Sequence, residues 1–201
     1  MIRVVIADDQ QLVRGAMAAL LALDDGLEVV AEVGRGDEVV DAVLIHRADV
    51  ALVDVEMPGM DGLAATEAVR AAAPGCQVLV VTTFGRPGYL RRAMAAGAAG
   101  FMVKDAPAEQ LADAIRRVHA GERVVDPTLA AESLAVGDSP LTDRERDVLV
   151  AARGGGTVAA IARAVHLSEG TVRNYLSSAI AKTGARTRAE AVRICDDRGW
   201  L

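Results

Sequence analysis

Apolar, β-branched runs recur through the first 120 residues, at 2–7, 27–33, 49–53, 77–82 and 99–103. Between them lie stretches in which apolar residues return every three or four positions, at about 10–23, 37–47, 62–73, 87–96 and 107–119. The first pattern predicts buried strands and the second amphipathic helices. Five βα units with short connections predict a parallel sheet covered on both faces. Helix boundaries carry their own signals: Pro107 opens the last helix, and Gly97 and Gly121 follow helix ends. No G-x-G-x-x-G follows the first strand, so a dinucleotide-binding fold loses its main support.

The pattern changes after residue 120. Residues 121–138 have weak periodicity, with a Pro and a Gly, and read as a linker holding at most one short helix. Beyond it everything is helical. Thr142-Asp143-Arg144-Glu145 has the form of a capping box, and Arg153-Gly154-Gly155-Gly156 ends the helix it opens. Further helices are expected at about 157–165, 168–183 and 187–198. His166 falls at a tight turn that needs a left-handed residue, and Ser168 is placed to cap the helix that follows. Two domains are expected, 1–120 and 139–201, joined by the linker.

Three of the apolar runs end on charge. Ile2–Ala7 closes on Asp8-Asp9, Val50–Val53 on Asp54, and Phe101–Val103 on Lys104. Open α/β sheets bind ligands at the carboxyl ends of their strands, and in the flavodoxin-like order 2-1-3-4-5 strands 1 and 3 are neighbours. That order places Asp8 and Asp9 beside Asp54. Three crowded carboxylates stay ionised only with a cation among them. The hard, water-retaining Mg²⁺ suits such a site. Asp54 has the chemistry of a carboxylate nucleophile. Glu56, in the loop stiffened by Pro58, is placed to turn its backbone carbonyl toward the cation. Taken alone, Asp8-Asp9 is more often a helix-capping pair than a metal site, Thr82 reads equally as an ordinary strand end, and Phe101 is more often simply core.

Lys104 gains weight from scarcity. Of 22 Lys+Arg, only Lys104 and Lys182 are lysine. A compact ammonium suits a single phosphoryl oxygen in a tight site better than a planar guanidinium does.

Composition narrows the classes further. The chain is 52% hydrophobic but 2% aromatic, so its core is built from Ala, Val, Leu and Ile. No apolar stretch is long enough to span a bilayer, and Asp8 and Asp9 arrive too early for a secretory signal. Cys76 and Cys195 form no C-x-x-C pair, which fits reduced cysteines in a cytoplasmic protein. The three histidines do not cluster, arguing against a transition-metal site. Residues 1–138 carry 12 basic against 21 acidic side chains, and residues 139–201 carry 10 against 7. An acidic front and a basic tail suggest that the tail meets a polyanion.

These features resemble a known family. The acidic pair, D-x-x-M-P-G-M-D-G from Asp54 to Gly62, the strand-end Thr82 and the F-x-x-K from Phe101 to Lys104 resemble the receiver domain of two-component response regulators. L-T-x-R-E-R from Leu141 and L-S-E-x-T-V-R from Leu167 resemble the LuxR-type helix-turn-helix domain. Together the halves are similar to the NarL/FixJ family over essentially the whole chain. TTFGRPGYLRRA and SEGTVRNYLS are most similar to a DesR-like subgroup.

The resemblance implies a (βα)5 receiver followed by a small all-α DNA-binding domain. It implies that Asp54 accepts a phosphoryl group from a sensor histidine kinase. Asp9, Asp54 and the Glu56 carbonyl would hold Mg²⁺, with Asp8 supporting, and Thr82, Phe101 and Lys104 would form the switch. Thr171, Arg173, Asn174 and Ser177 would face double-stranded promoter DNA, with a homodimer forming on phosphorylation. Four positions depart from the common pattern: Phe101 for a frequent tyrosine, Asp105 after Lys104 for the proline common in many receivers, Tyr175 for a usual histidine, and Ser177 where some members carry lysine. Two other readings remain at this point. One is a regulator whose receiver works without phosphorylation. The other is an Asp-nucleophile, Mg²⁺-dependent phosphohydrolase, although such enzymes place D-x-D on the first strand.

Overall fold

The computed structural model describes residues 1–83, 87–135, 137 and 139–201. The first part of the chain alternates strands and helices: β1 (Ile2–Ala7), α1 (Gln11–Leu21), β2 (Leu27–Val33), α2 (Val39–His46), β3 (Val50–Val53) and α3 (Gly62–Ala72). It continues with β4 (Gln77–Thr82), α4 (Pro87–Ala95), β5 (Gly100–Val103) and α5 (Ala108–His119). A 3-10 turn at Gly36–Glu38 leads into α2. Every predicted strand and helix is present, with ends shifted by a residue or two.

All strands pair in parallel, in the order β2-β1-β3-β4-β5-β6. The sixth, β6 (Val124–Val125), lies in the stretch expected to be linker and pairs with Gly100 and Phe101. Two residues are too few to show a period of two, so the pattern could not reveal it. α6 (Pro127–Ala135) supplies the short helix.

Side chains of alternate strand residues go to opposite faces. Val4, Ile6, Val50, Leu52, Leu79, Val81 and Met102 join Met17 and Leu21 of α1 and Leu111, Ile115 and Val118 of α5 in one core cluster. The alternate set, including Val5, Ala51, Val53, Val78, Val80 and Phe101, is equally buried. With both faces covered, the central strands β3, β4 and β5 have no polar side, which is why they read as continuous apolar runs.

Register delivers the strand-end charges to one place. Ala7 pairs with Val53, so Asp8 and Asp54 each follow a paired residue, and the Asp54 N–H donates to the Ala7 carbonyl at 2.9 Å. Thr82 pairs with Val103, and the Lys104 N–H donates to the Thr82 carbonyl at 2.8 Å.

The contact pattern divides the chain into two compact units, the second containing everything from Ala131 onward. Its helices are α7 (Asp143–Ala152), α8 (Val158–Ala164), α9 (Glu169–Thr183) and α10 (Arg188–Asp197). The Thr142 capping box is complete, with the Thr142 side chain accepting from the Glu145 amide and Glu145 reaching back to the Thr142 N–H. His166 is left-handed at φ 54, and Ser168 caps α9 by accepting from the Thr171 N–H. Val148, Leu149, Ile161, Val172, Leu176 and Trp200 build a separate core.

Glu145 does more than cap. It is 4% exposed, and its carboxylate accepts from Ser178 Oγ at 2.6 Å and Lys182 Nζ at 2.7 Å, besides the Thr142 N–H at 2.7 Å. Burial pushes this carboxyl up, but the Lys182, Ser178 and Thr142 contacts outweigh it and bring it down to about 2 from 4.5. Each unit is worth about 1.4 kcal/mol. The Lys182 side chain is 35% exposed and its charge partly screened, so we discount the total. Glu145→Ala is therefore expected to destabilise the helical unit by about 2 to 3 kcal/mol at pH 7. Because the folded carboxyl lies below its unfolded value, this contribution is complete above about pH 4.5 and is lost as pH falls toward 2. Trp200 is the sole tryptophan and sits in this core, so its fluorescence during urea unfolding reads the effect. Stability profiles of wild type and variant should converge on acidification; parallel profiles would remove the assignment.

Candidate functional site

The carboxyl ends of β1, β3 and β5 bring four charged groups together. Asp8 is wholly buried, Asp54 is 4% exposed, and Asp9 faces solvent. One oxygen from each of the three carboxylates lies within 4.8 Å of the others, a spacing that a metal ion can bridge. Lys104 extends between two of them, its Nζ 2.8 Å from Oδ2 of Asp54 and 2.8 Å from Oδ2 of Asp8. The Asp54 contact is a hydrogen bond, and the same ammonium forms an ion pair with the buried Asp8 Oδ2. A buried carboxylate oxygen is costly unless a cation compensates it, and Lys104 does so here.

Local geometry fixes the other oxygens. Asp54 Oδ1 accepts from the Val55 N–H at 2.8 Å. Asp8 Oδ1 accepts from the Gln10 N–H at 2.9 Å, so Asp8 both braces the turn into α1 and faces the cluster. Burial pushes the Asp54 carboxyl up, and the nearby Asp8 charge adds to this; Lys104 and the Val55 N–H only partly offset them. Burial works against the Lys104 ammonium, yet its contacts with Asp54 and Asp8 raise it overall. The site therefore holds one firm cation beside a reluctant Asp54 anion.

Thr82, 2% exposed, ends β4 beside Lys104. Phe101 is completely buried on β5. Glu56 is exposed in the loop after Asp54. That loop ends at Asp61, whose Oδ1 caps α3 by accepting from the Leu63 and Ala64 amides at 2.9 and 2.8 Å.

One neighbour was not signalled by the sequence. Arg14 of α1 donates through Nη1 to the Asp8 carbonyl, and its Nε lies 3.6 Å from Glu32 Oε2 of β2. Arginine is the default basic residue here, so its type gave no signal.

In the helical unit, Arg173, Asn174 and Ser177 are exposed on α9 and Thr171 is half-buried. The spacing i, i+1, i+4 gathers the three exposed residues on one face. Arg173 Nη2 donates to Glu169 Oε2 at 2.7 Å, one turn back. Thr171 Oγ1 lies 2.8 Å from Ser168 Oγ. Tyr175 packs partly against the core.

A doubly wound receiver-like sheet with carboxylates at its switch point, followed by a helix-turn-helix unit, defines a signal-responsive DNA-binding protein. Comparison with known proteins makes this specific. Residues 4–116 match the family model for the response regulator receiver domain, and residues 139–195 match that for bacterial regulatory proteins of the luxR family. The chain is 42% identical to transcriptional regulatory protein DesR of Bacillus subtilis over the full length of both. It is 41% identical to response regulator RamR of Streptomyces coelicolor, covering 100% of this chain and 98% of that protein. Among solved structures, response regulator ChrA of a heme-sensing two-component system is similar at 30% identity and a TM-score of 0.60, covering 100% of this chain and 98% of that one. The chain belongs to the response regulators that join a receiver domain to a LuxR-type DNA-binding domain. Among the described residues, no helix is long and apolar enough to cross a membrane.

Proposed function

We propose that this protein is a cytoplasmic transcription regulator controlled by phosphorylation of Asp54. The observation that carries the reading is the clustering of Asp8, Asp9 and Asp54, with the Lys104 ammonium held between Asp8 and Asp54, at the ends of three strands. Residues 1–120 act as the receiver, 121–138 as the linker and 139–201 as the DNA-binding domain.

Asp9, Asp54 and the backbone carbonyl of Glu56 are the groups that would hold Mg²⁺, supported by Asp8. The spacing of the carboxylate oxygens fits a hard divalent ion. When bound, Mg²⁺ neutralises charge on the phosphoryl oxygens. An Asp54 carboxylate oxygen attacks phosphorus. The bond to the donor histidine nitrogen breaks and its electron pair stays on that nitrogen. Once Asp54 is a mixed anhydride, Lys104 is free to turn toward a phosphoryl oxygen, and the Thr82 hydroxyl can donate to another. Moving a two-state equilibrium from 1:99 to 99:1 takes about 5.5 kcal/mol. One charge-assisted hydrogen bond gives about 1.5–3 kcal/mol, so Thr82 and Lys104 act together, with Phe101 repacking alongside Thr82. The outcome is a homodimer that reads two half-sites.

The test begins with Mg²⁺ and phosphoramidate. The wild-type chain should gain one acid-labile phosphoryl group and bind DNA, selected from a random pool, more tightly than before. Labelling without any gain in affinity would separate the receiver from control of the tail. In the same assay Arg173→Ala should cost about 1–3 kcal/mol on selected DNA and less on random DNA, if Arg173 reads a guanine edge. Equal losses would make Arg173 a phosphate contact, and no loss would remove α9 as the reading helix.

A further inference from the structure

Two loops of the receiver unit interlock through glycines, and one loop carries the phosphoacceptor. Gly36, in the turn after β2, is buried, and a Cβ placed on it would lie 1.9 Å from the Met60 carbonyl oxygen. Real Cβ atoms keep at least 3.0 Å from such neighbours. An added methyl must therefore drive Met60 or the 34–38 turn back by about an ångström. The Gly36 N–H also donates to the Pro58 carbonyl at 3.2 Å. From the other side Gly59, at φ +80, faces Asp37, with its ideal Cβ position 2.5 Å from Asp37 Oδ1 and 2.7 Å from Arg35 Nη2. Arg35 donates two hydrogen bonds of 2.9 and 2.8 Å to Asp37, and this exposed pair lies against Gly59. The far end of the same loop is seated on Gly62, whose ideal Cβ position falls 1.8 Å from the Asp54 carbonyl oxygen.

The chain from Asp54 to Gly62 is thus held at both ends by backbone contacts that leave no room for a side chain. Glu56, the proposed carbonyl ligand, lies within it. The Gly36 contact needs no unusual dihedral angle, so close approach alone requires glycine there.

We propose that Gly36 is a positioning residue for the phosphoryl-accepting site, fixing the Asp54–Gly62 loop so that the Asp54 carboxylate and the Glu56 carbonyl face the same cation. The inference rests on the assignment of Asp54 as phosphoacceptor. Its consequence is that the segment 34–38, which contributes none of the proposed ligands, sets Mg²⁺ affinity.

Full-length Gly36→Ala is to be compared with wild type for Mg²⁺ binding by titration calorimetry and for the rate of labelling by phosphoramidate. Gly100→Ala serves as the control. Its Cβ would meet Leu79 Cδ1 at 2.7 Å and the Val124 carbonyl at 2.8 Å, at the end of β5 remote from Lys104. It should destabilise the unit without touching the site. The expected result is at least fivefold weaker Mg²⁺ binding and at least fivefold slower labelling in Gly36→Ala, with smaller changes in Gly100→Ala despite a comparable fall in melting temperature. Should Gly36→Ala not fold, the charge-neutral double substitution Arg35→Ala/Asp37→Ala removes the exposed pair against Gly59 and should weaken Mg²⁺ binding at least twofold. A smaller effect than these, or equal losses in both glycine variants, overturns the inference while wild-type labelling leaves Asp54 intact. Wild type that neither binds Mg²⁺ nor labels overturns both.

Discussion

Asp54→Asn is expected to abolish Mg²⁺-dependent labelling and to leave the receiver unit as stable as wild type or more so. The amide is a poor nucleophile and a weak ligand for a hard cation, so chemistry and metal affinity fall together. Stability moves the other way. Burial and the Asp8 charge raise the Asp54 carboxyl above 3.8, so ionising it costs the folded state more than the unfolded chain. That group favours folding below about pH 4 and ceases to do so as pH rises through its raised folded value. At pH 7 the amide escapes the cost, and Lys104 keeps Asp8 as its partner at 2.8 Å. Melting temperature should therefore be equal or higher at pH 7, with the gap closing on acidification toward pH 4. An acid-labile label in the asparagine variant would refute the site. A marked fall in melting temperature at pH 7 would mean that the Lys104–Asp54 bond, rather than the repulsion, dominates the unliganded state.

Much of this site was legible because parallel strands buried on both faces must end abruptly, and the charge after each end stands out. Asp8, Asp54 and Lys104 were found in that way, and pairing of Ala7 with Val53 and Thr82 with Val103 brings their strand ends into line. Scarcity of lysine marks Lys104, and it marks Lys182, the other lysine, equally. Lys182 likewise meets a buried carboxylate, Glu145, across 37 residues. Glu145 already had a sufficient local explanation as the last residue of a capping box, and nothing in a single sequence signals a second role. Gly36 and Arg14 were illegible for another reason. Each acts through contact with a backbone carbonyl, of Met60 and of Asp8 respectively, and a carbonyl has no identity in the sequence. β6 was hidden by its length, and the 3-10 turn at 36–38 merged into the helical pattern that follows it.

Lys104→Arg should give a protein that is phosphorylated yet responds only in part. The substitution keeps the charge, and Asp9, Asp54 and Glu56 still supply the proposed Mg²⁺ ligands, so transfer persists at a reduced rate. What changes is shape. The Lys104 side chain is 8% exposed and its ammonium sits 2.8 Å from single oxygens of two different carboxylates. A guanidinium is larger, planar and suited to two parallel acceptors on one group. In the unliganded site it has no such pair on one carboxylate, because Asp54 Oδ1 is already engaged by the Val55 N–H and Asp8 Oδ1 by the Gln10 N–H. In the phosphorylated site it cannot settle on one phosphoryl oxygen between closely packed strand ends. Losing that contact removes about 1.5–3 kcal/mol from a switch that needs about 5.5 kcal/mol. The active fraction, 99% in the intact switch, would then drop to about 40–90%. DNA affinity with and without phosphoramidate, measured beside the stoichiometry of Asp54 labelling, reads this directly. A response equal to wild type in the labelled arginine variant would show that any cation serves at position 104 and that the choice of lysine there is incidental.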